Sequence, residues 1–179
     1  GSRVNSPNGC VKKEMGYVSK NRDEEAIMLG ASIRNNAVLP SLGRLARGGI
    51  AITNRMEKNL ANQVIGDMEV KCSSMEQLIS SLSGGNKQKV SFGKWLGCGA
   101  RILILDCPTR GIDVGVKQAM YKLIYELKTE GYSFVLISEE LPELIGMSDR
   151  IIILKDGCVA GEYSRSETLS EHDLIQVMV

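Results

Sequence analysis

Aromatic side chains are scarce: the 179 residues include two Phe, five Tyr and one Trp. A surface that stacks unpaired bases has little to draw on, and any core must be built from Ile, Leu, Val, Met and Ala. Charge of one sign is missing as well. Lys plus Arg number 22 against 21 Asp plus Glu, a formal charge of +1, which gives no electrostatic footprint for nucleic acid or an anionic membrane. No run approaches the roughly 18 apolar residues needed to cross a bilayer, and no charged-then-apolar leader opens the chain. The single histidine, His172, has no Cys or carboxylate pattern around it for a metal and reads as solvent-facing. Five cysteines, Cys10, Cys72, Cys98, Cys107 and Cys158, are scattered and never spaced CxxC. That argues against a disulfide framework or a zinc site and suits a reducing compartment.

What is present is ordinary globular composition, 43% hydrophobic and 24% charged, in a length that suits one domain. Gly1-Ser2, with no Met ahead of it, reads as an expression remnant on a segment of a longer protein. Residues 14 to 19 read as a short strand running into a polar loop, Lys20 to Glu25. From about 26 to 82 the pattern is helical: Ser32 can cap Ile33 to Val38, Gly48-Gly49 break a second piece, and Asn54 opens a stretch with Met56, Leu60, Val64 and Ile65 near helical spacing. Ser74-Met-Glu-Gln77 has capping-box form ahead of another short helix containing Leu78 and Ile79.

Beyond Leu82 the elements alternate. Asn86 to Gly97 reads as a helix. Arg101 to Asp106 is an apolar run ending in a carboxylate, the form of a strand buried on both faces. Val116, Met120, Leu123, Ile124 and Leu127 make one helix face, stopped by Gly131. Ser133 to Ser138 reads as a second buried strand, Glu140 to Met147 as a short helix and Arg150 to Lys155 as a third strand, with Asp156-Gly157 turning into Cys158 to Tyr163. A last helix, Ser170 to Val179, carries Leu174, Ile175 and Met178 on one side; Met120, Met147 and Met178 read as core filling. The expected fold is α/β with a mostly parallel sheet and an inserted or appended helical subdomain.

Two segments carry chemistry. In Leu82-Ser83-Gly84-Gly85-Asn86, two glycines open a helix; backbone N–H groups can approach an anion there, the helix dipole favours negative charge, and Ser83 adds a hydroxyl. An ordinary turn and cap has the same form. Ile102 to Asp106, followed by Cys107-Pro108-Thr109, places a carboxylate at the C-terminal end of a strand, where ligands of open α/β sheets bind and where an Asp can hold magnesium through water. An Asp capping a loop is the plain alternative. Lys87 and Lys89 read as solvated charges beside the helix entrance.

Taken together, these segments resemble the signature sequence and Walker B strand of ATP-binding-cassette ATPases. Arg110-Gly-Ile-Asp113 resembles the D-loop that follows, and Ile137-Ser-Glu-Glu-Leu-Pro-Glu-Leu144 with Met147 to Gly157 resembles the switch region and last strands. More narrowly, Leu-Ser-Gly-Gly-Asn, the Pro-Thr-Arg-Gly-Ile-Asp-Val-Gly run at 108 to 115 and the Tyr-Val-Ser-x-x-Arg opening at 17 to 22 resemble the C-terminal cassette of fused double-cassette subunits serving bacterial monosaccharide importers of the ribose and galactose type.

The resemblance covers about residues 11 to 179. It implies a partial RecA-like P-loop NTPase core, with a start and Q-loop-like segment at 1–25, a helical subdomain at 26–82, and signature helix, Walker B, D-loop, switch and C-terminal part at 83–179. No Gly-x-x-x-x-Gly-Lys-Ser/Thr loop occurs; the one Gly-Lys pair is Gly93-Lys94. The segment is thus expected to start after the phosphate-holding part and to lack a complete nucleotide site.

The resemblance also implies roles. ATP and Mg2+ are the expected cofactors, with Asp106 at the metal position and Ser83, Gly84, Gly85, Asn86, Lys20 and Asp113 at nucleotide-facing positions. Three positions depart from the catalytic pattern: Cys107 stands where a Glu usually polarises water, Glu139 where the switch His stands, and Lys20 where the loop Gln stands. The signature is intact. Family dimers close each signature on the opposite cassette's nucleotide, so this half is expected to clamp and transmit more than it hydrolyses. Implied partners are the N-terminal cassette of the same polypeptide, membrane permease subunits and, indirectly, a periplasmic or lipoprotein sugar-binding protein, with no nucleic acid. The implied location is the cytoplasmic face of a bacterial membrane. A degenerate regulatory cassette that binds nucleotide without turnover is the alternative.

Overall fold

The structure, a computed structural model, describes residues 3–46 and 52–178; the expected break at Gly48-Gly49 and the final Val179 lie outside them. The chain divides into two compact units, Gly1–Val135 and Leu136–Val179. In the first, Ser6 caps a short helix α1, Pro7–Lys12, its hydroxyl accepting from the Gly9 N–H at 3.1 Å with Pro at the first helical position. Strand β1, Met15–Val18, follows. The polar segment after it is not all loop: Arg22–Ala26 closes one wide helical turn, because Ser19 and Asn21 both bond Glu25 and draw the chain back.

Ser32 caps α2, Ile33–Val38, through the Asn35 N–H, as its position predicts. A buried Asn36 bonds the backbone of Met28 at both N–H and C=O, tying the incoming loop to this helix. After α3, Leu42–Leu45, the long helix α4 spans Asn54–Asp67 with Thr53 as its cap. The Ser74–Gln77 box does not start an α-helix. Gln77 Oε1 does return to the Ser74 N–H at 3.3 Å, but it also accepts from Ser73. Leu78 then stays extended and bridges to Ser32, leaving only a single tight turn, Ile79–Ser81.

Helix α5, Gly84–Gly97, begins two residues before the expected start, at the glycines themselves, with Ser83 as its cap. It packs with α2 and α4 over Ala37, Val38, Leu60, Ala61 and Val64. The approach is close: a Cβ at Gly93 would stand 2.5 Å from Met68 Cγ and 2.9 Å from Val64 Cγ1. Strand β2, Ile102–Asp106, pairs parallel with β1, Val18 against Leu105, and the sheet order is β1, β2, β3. Leu103, Leu105 and Val18 are fully buried, as are Phe92 and Val90 of α5. The expectation that β2 is buried on both faces is not met, since Ile102 on the alternate face is 37% exposed.

Helix α6, Val114–Thr129, buries Met120, Ile124 and Leu127. It ends as its sequence predicts, at left-handed Gly131, where the Gly131 and Tyr132 N–H groups return to the Lys128 and Leu127 carbonyls. The third strand of the sheet, β3, is Ser133–Ile137. It is not the buried strand expected, with Val135 and Ile137 about half exposed. An apolar run states that a strand can be covered; among the described residues this one is the last of its sheet, with a neighbour on one side only.

The second unit has its own small core. Helix α7, Leu141–Met147, precedes β4, Arg150–Lys155, and β5, Cys158–Ser164. These strands form a separate antiparallel pair rather than extending a parallel sheet. The cause is the two-residue turn, in which Asp156 and Gly157 both have positive φ and return the chain directly on itself. Helix α8, Glu171–Met178, contributes fully buried Leu174 to Ile151 and Ile153. Ile175 and Met178, expected in the same core, are nearly half exposed, because so short a helix touches the hairpin along one line. Among the described residues no helix is long and apolar enough to cross a membrane.

Candidate functional site

Parallel pairing of β1 and β2 brings the ends of both strands to one edge of the sheet. There the Tyr17 hydroxyl donates to Asp106 Oδ2 at 2.9 Å. This bond, with burial, raises the phenol above the usual tyrosine range. The chain leaves β2 through Cys107, which takes a left-handed φ of 44°, costly for a residue with a side chain, and its carbonyl accepts from the Arg110 N–H at 3.1 Å. This bond closes a turn, 107–110, immediately after Asp106.

The signature turn lies against two other segments of the same unit. Ser83 Oγ accepts from Asn86 Nδ2 at 3.0 Å and from the Asn86 N–H; a hydroxyl accepting on its lone pairs keeps its proton to donate. Asn86 has a further role, its Oδ1 accepting from the Lys71 N–H at 2.9 Å and hanging the segment after α4 on the signature. A Cβ on Gly84 would stand 3.7 Å from the Gly111 carbonyl and 3.6 Å from Arg22 Nη2. At Gly85 a Cβ would meet Val116 Cγ2 at 2.8 Å, so the Val116 side chain in the first turn of α6 packs directly on the glycine backbone at the start of α5. Asp113 caps α6, accepting from the Val116 N–H at 2.9 Å.

These distances separate the two glycines. Gly85→Ala is expected to cost about 1–3 kcal/mol by overpacking against Val116. Gly84→Ala should leave stability unchanged or slightly raised by helix propensity. Urea unfolding of the two variants checks the contrast, and equal losses would mean that Val116 yields.

Lys20, Asn21, Arg22, Asp23, Glu24 and Arg110 line an open cavity of about 230 Å³ beside this turn. Lys20 therefore lies beside the segment after Asp106 rather than apart from it. Arg22 Nη1 donates to the Gly84 carbonyl at 3.0 Å and its Nε to Asp23 Oδ1 at 2.9 Å, while Lys87 Nζ donates to Asp23 Oδ2 at 3.0 Å. The Arg22 guanidinium foremost, then Lys87, hold the Asp23 carboxyl below the usual carboxylate range against the effect of burial. Lys87 and Lys89 are not the solvated charges expected: Lys87 is paired with Asp23 and Lys89 donates to the Glu69 carbonyl at 3.1 Å. Helix α5 packs one flank on these segments, so their long stems have acceptors within reach.

In the first unit the structure thus gathers Ser83, Gly84, Gly85, Asn86, Lys20 and Asp113 around the entrance of α5 and the start of α6, and sets Asp106 and Cys107 at the sheet edge with Tyr17. Glu139 belongs to the second unit, exposed between β3 and α7. Sequence reasoning missed Tyr17 and Arg22 as site residues although both stand in the Tyr-Val-Ser-x-x-Arg run. That run alternates like any strand end, and its two polar termini were the available signal.

An α/β unit with parallel strands, a helical block between its first two strands, a glycine-opened helix and a carboxylate at the strand edge has the arrangement of an ATP-binding cassette. The family model described as ABC transporter matches residues 5–110, and the chain belongs to that family. Over 168 residues it is 40% identical to the ribose import ATP-binding protein RbsA of Bacillus licheniformis and 41% identical to that of Bacillus subtilis, spanning 94% of this chain and 34% of each relative. The chain therefore covers about a third of the length of the curated relatives it matches. The dimeric, post-hydrolysis form of the ATP-binding cassette MJ0796, bound to ADP and Pi, is 21% identical with a TM-score of 0.74, over 90% of this chain and 68% of that one. At that identity the likeness is one of fold.

Proposed function

We propose that this chain is the C-terminal cassette of a longer ATP-binding subunit that couples ATP hydrolysis to monosaccharide uptake through a membrane permease at the cytoplasmic face of a bacterial membrane. The carrying observation is the 40% identity to ribose import ATP-binding proteins along 94% of the chain, joined to an intact Ser83-Gly84-Gly85-Asn86 turn built on the entrance of α5. The residues at 1–25 and 83–179 belong to the ATPase core in this reading, and the helical block at 26–82 faces the permease.

The donor set fits a phosphate at the signature: the Ser83 proton and the first N–H groups of α5, which have no acceptor within the helix. Magnesium fits less well. Asp106 supplies one hard oxygen ligand, Cys107 offers sulfur where an oxygen is wanted, and among the described residues no group of three or more His, Cys, Asp and Glu is gathered as for a metal. Bound Mg2+ would offset phosphate charge. Asp106 would orient it, Tyr17 would fix the Asp106 carboxylate, and Ser83, Gly84 and Gly85 would hold the phosphate of the nucleotide carried by the N-terminal cassette. Asp113 and Lys20 would face that interface. With Cys107 and Glu139 in place of the usual base and switch residue, this half clamps and transmits more than it hydrolyses, and its Mg-ATP contacts serve the opposite site.

Calorimetric titration of the isolated chain with Mg-ATP is expected to show no tight site, because the sequence holds no backbone cradle and Lys for the β- and γ-phosphates. Micromolar binding would overturn that. In the full-length protein, Cys107→Ala is expected to leave ATP turnover nearly unchanged, since a thiol contributes little as a general base here; loss of most activity would show a live site that uses the cysteine.

A further inference from the structure

The one-turn helix at Arg22–Ala26 is fastened to the signature helix at three points. Arg22 Nη1 donates to the Gly84 carbonyl at 3.0 Å, Lys87 Nζ to Asp23 Oδ2 at 3.0 Å, and Lys94 Nζ to the Ala26 carbonyl. Lys87 and Lys94 stand seven residues apart, on one face of α5, so the turn is held along two helical turns. Asp23 is gripped from both sides, by Arg22 Nε at 2.9 Å and by Lys87. The Arg22 side chain is 18% exposed; its charge is spent within the protein on these acceptors.

The bond to Gly84 has a geometric consequence. In a trans peptide the C=O and N–H point in opposite directions across one rigid plane. The Gly84 carbonyl and the Gly85 N–H share such a plane, so a donor fixed on the oxygen also fixes the direction of the N–H. A cationic donor on that oxygen polarises the peptide and strengthens the N–H as a donor in turn. Tandem glycines need such a hold, because neither Gly84 nor Gly85 has a Cβ to narrow its backbone choices. Val116, packed on Gly85 from the α6 side, limits the position of the turn but makes no hydrogen bond to it.

We propose that Arg22 is a positioning residue for the clamp: through the Gly84 carbonyl it orients and polarises the Gly85 N–H toward the phosphate of the nucleotide held by the opposite cassette. The inference rests on reading Ser83 to Asn86 as that clamp. Arg22 touches no reacting atom; it acts through one peptide plane.

The test uses the full-length protein with its permease and reads ATP hydrolysis against ATP concentration. Arg22→Met is expected to lower kcat on the order of tenfold while KM for ATP stays within about twofold, because the clamp engages most strongly in the closed state. Arg22→Lys, which keeps a cationic donor, should recover part of the loss. Combined with Ser83→Ala, the fold-loss should fall short of the product of the single losses, as for two parts of one constellation. Ser83→Arg is run alongside. Near wild-type hydrolysis for Arg22→Met while Ser83→Arg abolishes it overturns this inference and leaves the clamp; wild-type rates in both overturn the clamp reading itself. A raised KM, or loss that Arg22→Lys does not recover, marks a merely structural residue and also overturns it. Should Arg22→Met not fold, Arg22→Lys in the cycle with Ser83→Ala decides, and strictly multiplicative losses count against the proposal.

Discussion

Ser83→Arg in the full-length protein is expected to abolish ATP hydrolysis and sugar uptake together while ATP binding by the N-terminal half persists. A preorganised donor lost from such a site costs about 3 to 4 kcal/mol, on the order of a hundredfold or more in rate, and the bulk of the arginine adds to it. The structure adds a smaller second effect. Ser83 Oγ caps α5 through Asn86, so stability should fall by about 1 kcal/mol. Ser83→Asp separates the two: aspartate caps a helix as well as serine does, yet puts a negative charge where the phosphate must sit. It should therefore fold as the wild type and still lose hydrolysis. Uptake near the wild-type rate in either variant would leave Leu82 to Asn86 as an ordinary helix start.

Unfolding free energy is expected to rise with pH above about 8 in the wild type and to lack that rise in Lys94→Met. Lys94 is 6% exposed, on the buried face of α5, and its ammonium donates to the Ala26 carbonyl. Burial lowers it from 10.5 to about 8. Below pH 8 both folded and unfolded chains carry the proton, and the cost of burying the charge is present in full. Between pH 8 and 10.5 the unfolded chain binds the proton and the folded chain does not, so stability increases with pH, by at most about 3 kcal/mol. Other titrating groups are common to both proteins and cancel in the difference. Urea unfolding of the pair at pH 7 and pH 10.5 reads it. A constant difference would mean that water reaches Lys94 and that it keeps an ordinary affinity for its proton.

Helix ends and tight turns are the most legible parts of the chain, because caps and turn residues act within four residues. Ser32, Gly131 and Asp156-Gly157 each do locally what their residue types dictate. The signature segment and the strand ending in Asp106 are legible for a related reason: a glycine pair at a helix entrance and a carboxylate at a strand end are contiguous in sequence. What the sequence conceals depends on partners far along the chain. Lys87 reads as a surface charge until Asp23, 64 residues away, is brought beside it. Arg22 reads as part of a polar loop until α5 presents the Gly84 carbonyl. Burial is illegible for the same reason, since Val135, Ile137, Ile175 and Met178 have the composition of a core but not the covering layers. The Ser74 box misleads because its glutamine serves two serines, and the chain beyond it is drawn into a bridge with Ser32.

The parallel pairing of β1 with β2 constrains the order in which this protein can assemble. Parallel strands need a long crossover, and here it is the whole helical block, with Tyr17 and Asp106 separated by 89 residues. Closing so large a loop costs chain entropy before any strand contact offsets it. Contacts among α2, α4 and α5 span shorter separations and can form first, shrinking the loop that β1 and β2 must close. Until they do, β2 is an apolar strand with an open edge. A substitution that loosens the seat of α4 on Gly93 would therefore slow the meeting of Tyr17 with Asp106, and lengthen the interval in which that edge can find another chain.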